Sequence, residues 1–244
     1  MADAAHRGTH HLDHVVVVVG DLDVATDALE EVGFFVTGRS DHPYGTSNRL
    51  VMLDDTYLEF LSVTDRSAVP ESGFARFVSD SIDAGRLGPR LIAFRTDDPS
   101  GERGRLLDAG FSVPEPLRFG RQAAMPDGTR RAVEFEVVVP ELASLTVGGI
   151  YCRHLTPEAV WDPSTLEHPN GARRLTEVTI PDAGPEGWKR LAMLAGASAA
   201  PPIDLSGVCL LEGAAQLVVE GTATGRASVD GTVVEVRSSP DASV

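Results

Sequence analysis

An uninterrupted run of valines, Val15 to Val19, constrains the fold more than any other feature of the chain. The run has the length of a buried β-strand and is far shorter than the roughly 20 apolar residues that a membrane-spanning helix needs. His14 comes directly before the run, and Asp21 follows it at a position typical of a helix N-cap. The sequence therefore predicts a buried strand that starts at an ionisable side chain and leads into a helix.

The residues after this strand complete one folding unit. Gly33 lies where a helix C-terminus favours a left-handed residue. Strands are predicted at Phe34–Val36, Leu50–Leu53 and Tyr57–Val63, where apolar and β-branched or aromatic residues gather between turn signals. The predicted order over residues 11–63 is β-α-β-β-β.

The same pattern returns twice along the chain. Leu-Glu-Glu-Val-Gly-Phe-Phe-Val at 29–36 resembles Leu-Leu-Asp-Ala-Gly-Phe-Ser-Val at 106–113. The 19-residue spacing from His14 to Gly33 recurs from Leu91 to Gly110 and from Glu177 to Gly196. Such self-similarity at one spacing indicates repeated units. The predicted organisation is a first βαβββ module at 11–63, a helical connector at 64–88, a second module at 89–152, a long loop at 153–172 and a third, weaker unit at 173–238.

Charge and composition exclude several classes of function. The net charge of −15 disfavours binding to nucleic acid or to an anionic membrane surface, because both carry negative charge. The first ten residues lack the charged-then-apolar order of a signal peptide, which predicts a cytoplasmic protein. The two cysteines, Cys152 and Cys209, are expected to be reduced thiols, since two cysteines do not make a disulfide framework.

The first unit resembles a known group of proteins. His14 with its apolar run and Gly-Asp-Leu, followed by a helix and by Tyr-Leu-Glu-Phe-Leu at 57–61, resembles the vicinal oxygen chelate superfamily, and its glyoxalase-like domain proteins most closely. Gly45–Arg49, His154–Glu158 and His168–Gly171 are similar to that subgroup too. The resemblance implies an α/β (α+β) fold in which tandem βαβββ modules form curled mixed sheets, as in glyoxalase, bleomycin-resistance and dihydroxybiphenyl dioxygenase proteins.

The resemblance also implies a site. In metal-using members, the first and last strands of two modules supply His, Gln or Glu ligands to one divalent ion, which binds neighbouring oxygens of the substrate. Carried over, His14 and Glu59 are metal ligands and catalytic residues, with Zn, Ni, Mn or Fe as the ion. Leu91 at the equivalent second-module position cannot bind a metal. The further candidate ligands are His154, or Glu177 and Gln216 if the third unit faces the first.

Two loops supply candidate substrate-binding residues. His42, Thr46, Asn48 and Arg49 lie in or beside a Gly- and Pro-containing loop of the first unit, and His154 begins the long loop. An ordinary surface loop is the alternative for the first loop, and a helix-capping and turn segment is the alternative for the long loop. Without a metal, the same cup is a small-molecule pocket in which His14 and Glu59 act as acid and base.

Two functions follow. The first is a glyoxalase-like enzyme of isomerase, lyase or dioxygenase type that acts on a small oxygenated metabolite. The second is a metal-free protein that binds or sequesters a small molecule, as resistance proteins do. A homodimer is left open, because superfamily members often complete their sheets across a dimer, whereas this chain carries enough modules to do so internally.

Overall fold

The structure is a computed structural model that describes residues 10–197 and 201–239. The strands of these residues are β1 (Leu12–Val18), β2 (Ser40–Asp41), β3 (Thr46–Met52), β4 (Tyr57–Val63), β5 (Gly88–Arg95), β6 (Leu117–Ala124), β7 (Arg130–Val138), β8 (Gly148–His154), β9 (Arg174–Ile180), β10 (Ile203–Asp204), β11 (Cys209–Glu212), β12 (Gln216–Gly221), β13 (Gly225–Val229) and β14 (Thr232–Ser238). The helices are α1 (Leu22–Glu31), α2 (Phe74–Asp83), α3 (Pro99–Asp108), α4 (Pro157–Val160) and α5 (Gly184–Ala195). No helix in this described part of the chain is long and apolar enough to span a membrane.

Two mixed sheets carry the fold. The larger has the strand order β2-β3-β4-β1-β5-β8-β7-β6, and the smaller has the order β10-β11-β9-β12-β14-β13. The large sheet is curled and consists of two βαβββ modules joined where β1 and β5 pair antiparallel. The predicted fold class, α+β with curled sheets of βαβββ modules, is confirmed.

The pairing of β1 with β5 shows how the two modules correspond. His14 lies opposite Ala93, and Val16 lies opposite Leu91. This register agrees with the equivalence that the repeated 19-residue spacing predicts, in which Leu91 corresponds to His14 and Ala93 to Val16. Each strand also has a β-bulge at the matching place, with Asp13 as the extra residue on β1 and Arg90 on β5.

The valine run is divided between the two faces of the large sheet. Val15 and Val17 belong to the core shared with helix α1 and the small sheet, which contributes Leu175 and Leu217. Val16, with Val18, faces the concave side. All of these valines are fully buried, and burying such a side chain contributes about 1.5–3 kcal/mol. A strand buried on both faces explains the lack of alternation in its sequence.

Helices cover part of the concave face at each end. Phe77 and Val78 of α2 pack in one cluster with Val18 of β1 and Leu61 of β4, at one end of the concave face. Val160 of α4 packs with Tyr57 and Phe135 near the other end. A cavity remains between the two covered ends, beside His14.

The small sheet is a shortened copy of the large one. In it β9 pairs parallel with β11 and antiparallel with β12, and β12 pairs parallel with β14. The first half has a helix, α5, whereas β12–β14 follow one another with none between them. Because this sheet packs behind the large sheet through the common core, it does not face the concave side.

Some predicted elements differ from the structure. Phe34–Val36 is not a strand, because its backbone serves a loop contact in which Phe35 N donates to His168 Nδ1. The short β2 takes the place of the predicted strand. Strand β6 was not predicted, since its sequence Leu-Arg-Phe-Gly-Arg-Gln-Ala-Ala has few β-branched residues and a central glycine. It is stable in the fold as the edge partner of β7.

Candidate functional site

The concave face of the large sheet encloses a space of about 700 Å³, counting its open mouth. Most of its wall is apolar and includes Phe74, Phe119, Phe135, Val137 and Ile150. The polar side chains that line it include His14, His42, Asn48, Glu59 and Arg121. Cavities of this kind, mainly apolar with a few convergent polar groups, are typical of sites for small molecules.

Glu59 is the centre of the polar group. It lies on β4 beside Val16 of β1, so it shares the concave face with His14. Its Oε1 accepts a hydrogen bond from Asn48 Nδ2 at 2.6 Å, and its Oε2 lies 3.5 Å from His14 Nε2. A second imidazole nitrogen, His42 Nε2, is 3.8 Å from Oε1. Glu59 as a whole is only 6% exposed, and it lines the cavity.

Asp13 holds His14 from behind. Its Oδ1 lies 2.7 Å from His14 Nδ1 and 2.8 Å from His154 Nε2, and its Oδ2 accepts from Arg95 Nε at 3.1 Å. Burial alone would raise the pKa of Asp13, but the hydrogen bonds from both histidines outweigh it and hold the pKa well below its usual range. The His14 ring also stacks on Tyr57, with centroids 4.4 Å apart. These contacts fix the ring so that Nε2 points at Glu59.

His42 is a neutral hydrogen-bonding group. Burial lowers its pKa to about 4, against a smaller opposing effect of Glu59. Its Nε2 lies 3.2 Å from Asn48 Nδ2 and accepts from that amide, and its Nδ1 lies 2.9 Å from Thr46 Oγ1. His42 thereby orients Asn48, which in turn holds Glu59.

Two other buried groups are kept un-ionised. Burial raises the pKa of the Tyr57 hydroxyl and of the Cys152 thiol well above their ordinary values. The nearby charge of Asp13 acts in the same direction on both. Neither group is therefore activated as a base or nucleophile at neutral pH.

The structure brings together five of the residues singled out from the sequence. His14, His42, Thr46, Asn48 and Glu59 all line the same cavity. They come from neighbouring strands β1, β3 and β4 and from the turn before β3. Alternation along β3 accounts for Thr46 and Asn48, which are two residues apart and share the concave face.

The other candidates lie elsewhere. His154 contacts Asp13, behind His14. Arg49 points away from the cup and pairs with Asp23 of α1 at 2.8 Å. The structure does not bring Glu177 and Gln216 to His14, because the small sheet packs on the other side of the large one. Glu177 pairs there with Arg237, and Gln216 donates to Glu235.

Sequence reasoning missed two residues of the cavity region. Asp13 would point to the other face in a regular strand, and only the β-bulge allows it to reach His14. Arg121 lies on the unpredicted strand β6. The alternation of Leu117, Phe119 and Arg121, all of which line the cavity, is the signal that was available in the sequence.

The residues present do not fit a tightly bound catalytic metal. His14 and Glu59 could be two ligands of one ion, but the equivalent second-module residues are Leu91 and Ile150. Among the described residues, the one group of three potential ligand atoms within 4.8 Å of one another is Asp13, His14 and Cys152. The Asp13 oxygens in it already accept from both histidines and an arginine, and Cys152 is a neutral thiol. Two protein ligands are too few to hold a catalytic metal ion tightly.

Comparison with known proteins agrees with the fold. A family model described as a glyoxalase-like domain matches residues 12–193. A hypothetical protein from Staphylococcus aureus has 11% sequence identity and a TM-score of 0.70, with 94% of this chain and 99% of that chain covered. Among the curated proteins, none matches.

Two further solved structures show more distant likeness. A methylmalonyl-CoA epimerase has 17% identity and a TM-score of 0.44, with 59% of this chain and 94% of that chain covered. A variant of 4-hydroxymandelate synthase from Streptomyces coelicolor has 14% identity and a TM-score of 0.40, covering 94% of this chain and 63% of that chain. The family match spans most of the chain. This protein belongs to the glyoxalase-like domain family.

Proposed function

We propose that the chain is a glyoxalase-like enzyme that moves a proton on a small oxygenated metabolite bound in the cup. Glu59 is the group that removes and returns the proton. The observation that carries this proposal is the buried Glu59 carboxyl, which faces an apolar-walled cavity and is oriented by Asn48 and His14. A carboxyl in such a setting is suited to general acid–base chemistry, because its position is fixed and bulk water is largely excluded.

The neighbouring residues have separate roles in this mechanism. Asn48 orients Oε1 of Glu59, and its own Oδ1 is buried with no hydrogen-bond partner in the described chain, so it offers an acceptor to a ligand hydroxyl. The His14 ring lies between two carboxyls, Asp13 at Nδ1 and Glu59 at Nε2. When both ring nitrogens carry a proton, Nδ1 donates to Asp13 and Nε2 is the donor for a substrate oxygen on which negative charge develops. Asp13 is a positioning residue for that ring.

The test is deuterium exchange in D₂O with a panel of small 2-hydroxy and 2-oxo carbonyl compounds, followed by NMR in the presence of EDTA. The native protein should catalyse replacement of hydrogen by deuterium at the carbon next to the carbonyl group of at least one compound. Glu59→Gln should slow that exchange by about 10²–10⁴-fold, the usual contribution of a positioned acid–base group. Circular dichroism and thermal unfolding check that the variant is folded.

Glu136→Gln is the matched control. Glu136 lies on β7 next to Phe135 of the cavity wall, but it pairs with Arg118 and Arg153. Its replacement should leave the exchange rate unchanged. Exchange that survives Glu59→Gln at the native rate, or that is absent for every compound, contradicts the proposed activity.

A metal-free binding or sequestering protein is the second candidate function. The observation that favours it is the pair Leu91 and Ile150, whose apolar side chains occupy the positions of two metal ligands. The same panel separates the two functions. Saturable binding of a compound in the cup with no Glu59-dependent exchange would support sequestration.

A further inference from the structure

Arg121 is a cation in the wall of the cup. It lies on β6, where alternate residues Leu117, Phe119 and Arg121 face the cavity. The guanidinium carbon lies 5.8 Å from the centroid of the Phe135 ring. Arg121 also lines a smaller adjoining space of about 360 Å³, so its side chain lies at the boundary between the two. A ligand in the larger space would meet Glu59 at one place and this guanidinium at another.

The guanidinium has no counterion in contact with it. Among the described residues, the side chain of Arg121 makes no ion pair or hydrogen bond. By contrast, Arg118 on the same strand pairs with Glu136 at 3.1 Å, and Arg131 on β7 pairs with Asp162. Burial lowers the pKa of Arg121, and the charge of Glu59 opposes that effect. The attraction is at a distance, because Glu59 is held by Asn48 and His14.

An arginine remains charged in a protein, so this site carries a positive charge that touches no acid of the described chain. The ring of Phe135 and the more distant charge of Glu59 offset only part of its desolvation. A bound anion would supply that contact, and the planar guanidinium matches a carboxylate through two parallel hydrogen bonds. A single negative charge suits the cup better than a doubly charged phosphate, because Glu59 lies in the same cavity and the chain carries a net charge of −15.

We propose that the cup binds a monocarboxylate with a small apolar body, whose carboxylate pairs with Arg121. The inference rests on the proposed function and specifies its substrate class. The apolar body lies against Phe119 and Phe135, whose rings are stacked with centroids 5.4 Å apart, and the reacting carbon is directed at Glu59. Arg121 is thus a binding residue that sets specificity, and Glu59 is the residue that transfers the proton.

The experiment measures binding separately from turnover. Isothermal titration at an ionic strength of about 0.15 M compares three acids with their neutral amides: acetate, phenylacetate and 3-phenylpropanoate against acetamide, phenylacetamide and 3-phenylpropanamide. At this salt concentration the long-range repulsion from the acidic surface is largely screened. In the native protein, at least one of the larger acids should bind at least about tenfold more tightly than its amide, a difference of about 1.4 kcal/mol. Phenyl phosphate should bind more weakly than that acid.

Three variants locate the preference. Arg121→Met should abolish the difference between acid and amide, and Arg121→Lys should retain part of it, since lysine keeps the charge but not the planar fork. Arg118→Met is the control, because Arg118 is 67% exposed and its partner Glu136 lies outside the cup. It should leave both affinities unchanged.

The proposal fails if acids and amides bind the native protein equally, if none of the acids binds, or if the preference survives Arg121→Met. A preference for phenyl phosphate over every acid overturns the monocarboxylate assignment. These outcomes are distinguishable from failure of the proposed function. Glu59-dependent deuterium exchange on an uncharged compound, without a preference for acids, would support the proposed function and contradict the role of Arg121. Arg121-dependent binding of acids without any exchange would support the role of Arg121 and contradict the proposed function.

Discussion

The two modules of the large sheet have the same backbone but different chemistry. His14 of the first corresponds to Leu91 of the second in the register of β1 and β5. Glu59 lies beside Val16, and Ile150 lies beside Ala93, the residue equivalent to Val16. The two positions that carry an acid–base pair in one half of the cup therefore carry apolar side chains in the other half. The comparison shows that duplication of a unit conserves the position of a side chain, whereas its chemistry is free to change.

The β-bulges extend this contrast. Asp13 on β1 turns its carboxyl to two histidines beside the cup. Arg90, the equivalent residue on β5, instead donates to the carbonyl oxygens of Leu87, Thr146 and Pro181. Pro181 directly follows β9, so Arg90 joins the large sheet to the small one. The same local irregularity supports a site in one module and an inter-sheet contact in the other.

Asp13→Asn tests the first half of this contrast and should have the largest effect. We expect the free energy of unfolding to fall by about 2–4 kcal/mol, because the buried carboxylate is lost while its three partners stay. Its contribution in the native protein is present above the unfolded pKa near 4 and is lost as the pH falls below that value. Urea unfolding from pH 7 down to pH 2 should therefore show a flatter acid limb in the variant. The Glu59-dependent exchange should also slow by at least about tenfold, since His14 loses its orientation.

The control for Asp13 is Asp98→Asn, at the N-cap of α3, where the side chain accepts a hydrogen bond from Gly101 N. That change should cost well under about 1 kcal/mol, because asparagine caps a helix about as well as aspartate does, and it should leave the exchange rate unaltered. An Asp13→Asn protein with native stability and native exchange would show that the His14–Asp13–His154 contacts do not position the site.

His42→Gln tests the contribution of the buried His42 imidazole, which the first module places in the cup. The folded pKa of His42 is about 4, below the value near 6.5 of an unfolded histidine. Between these two values the unfolded chain binds more protons than the folded one, so stability rises with pH and falls as the solution is acidified from 6.5 to 4. His42 accounts for up to about 3 kcal/mol of that change. Stability of the variant, measured across this range, should depend less steeply on pH.

His11→Gln is the matched comparison, because His11 is exposed on the approach to β1. Its pH profile should follow that of the native protein. A His42→Gln profile that overlays the native curve between pH 4 and 6.5 would mean that His42 ionises in the folded cup.

Arg90→Met tests the second half of the contrast. The side chain is buried, and its loss leaves three carbonyl oxygens without their donor, so we expect a destabilisation of about 2 kcal/mol. Deuterium exchange and acid binding should not change, since Arg90 faces the small sheet. Denaturant unfolding and the exchange assay on the same preparation measure both. Loss of exchange in a folded Arg90→Met protein would contradict the separation of the two bulges.

The sequence predicted the strand–helix order of the first module and the corresponding residues of the modules, because these depend on local periodicity and spacing. The family resemblance paired His14 with Glu59, and Asn48 was predicted separately as a substrate-binding residue of a loop. Alternation along β3 explains why Asn48 lies on the same face as Glu59. Asp13 could not be predicted, since its position depends on a bulge between two strands that are distant in sequence. The placement of Glu177 behind the large sheet likewise depends on which faces pack together, and that is decided by the shared core rather than by local pattern.

Arg49→Gln should have the smallest effect. It tests on which face of the large sheet the Arg49 side chain lies. Arg49 follows Asn48 in the chain, but alternation turns it to the other side, where it reaches Asp23 on the exposed surface of α1. An ion pair of this kind contributes less than about 1 kcal/mol, so the change in unfolding free energy should be within that range. Exchange and acid affinity should equal those of the native protein, whereas Asn48→Ala should slow exchange because Glu59 loses its donor. Weaker acid binding in Arg49→Gln would place Arg49 in the cup and would transfer to it the anchoring role inferred for Arg121.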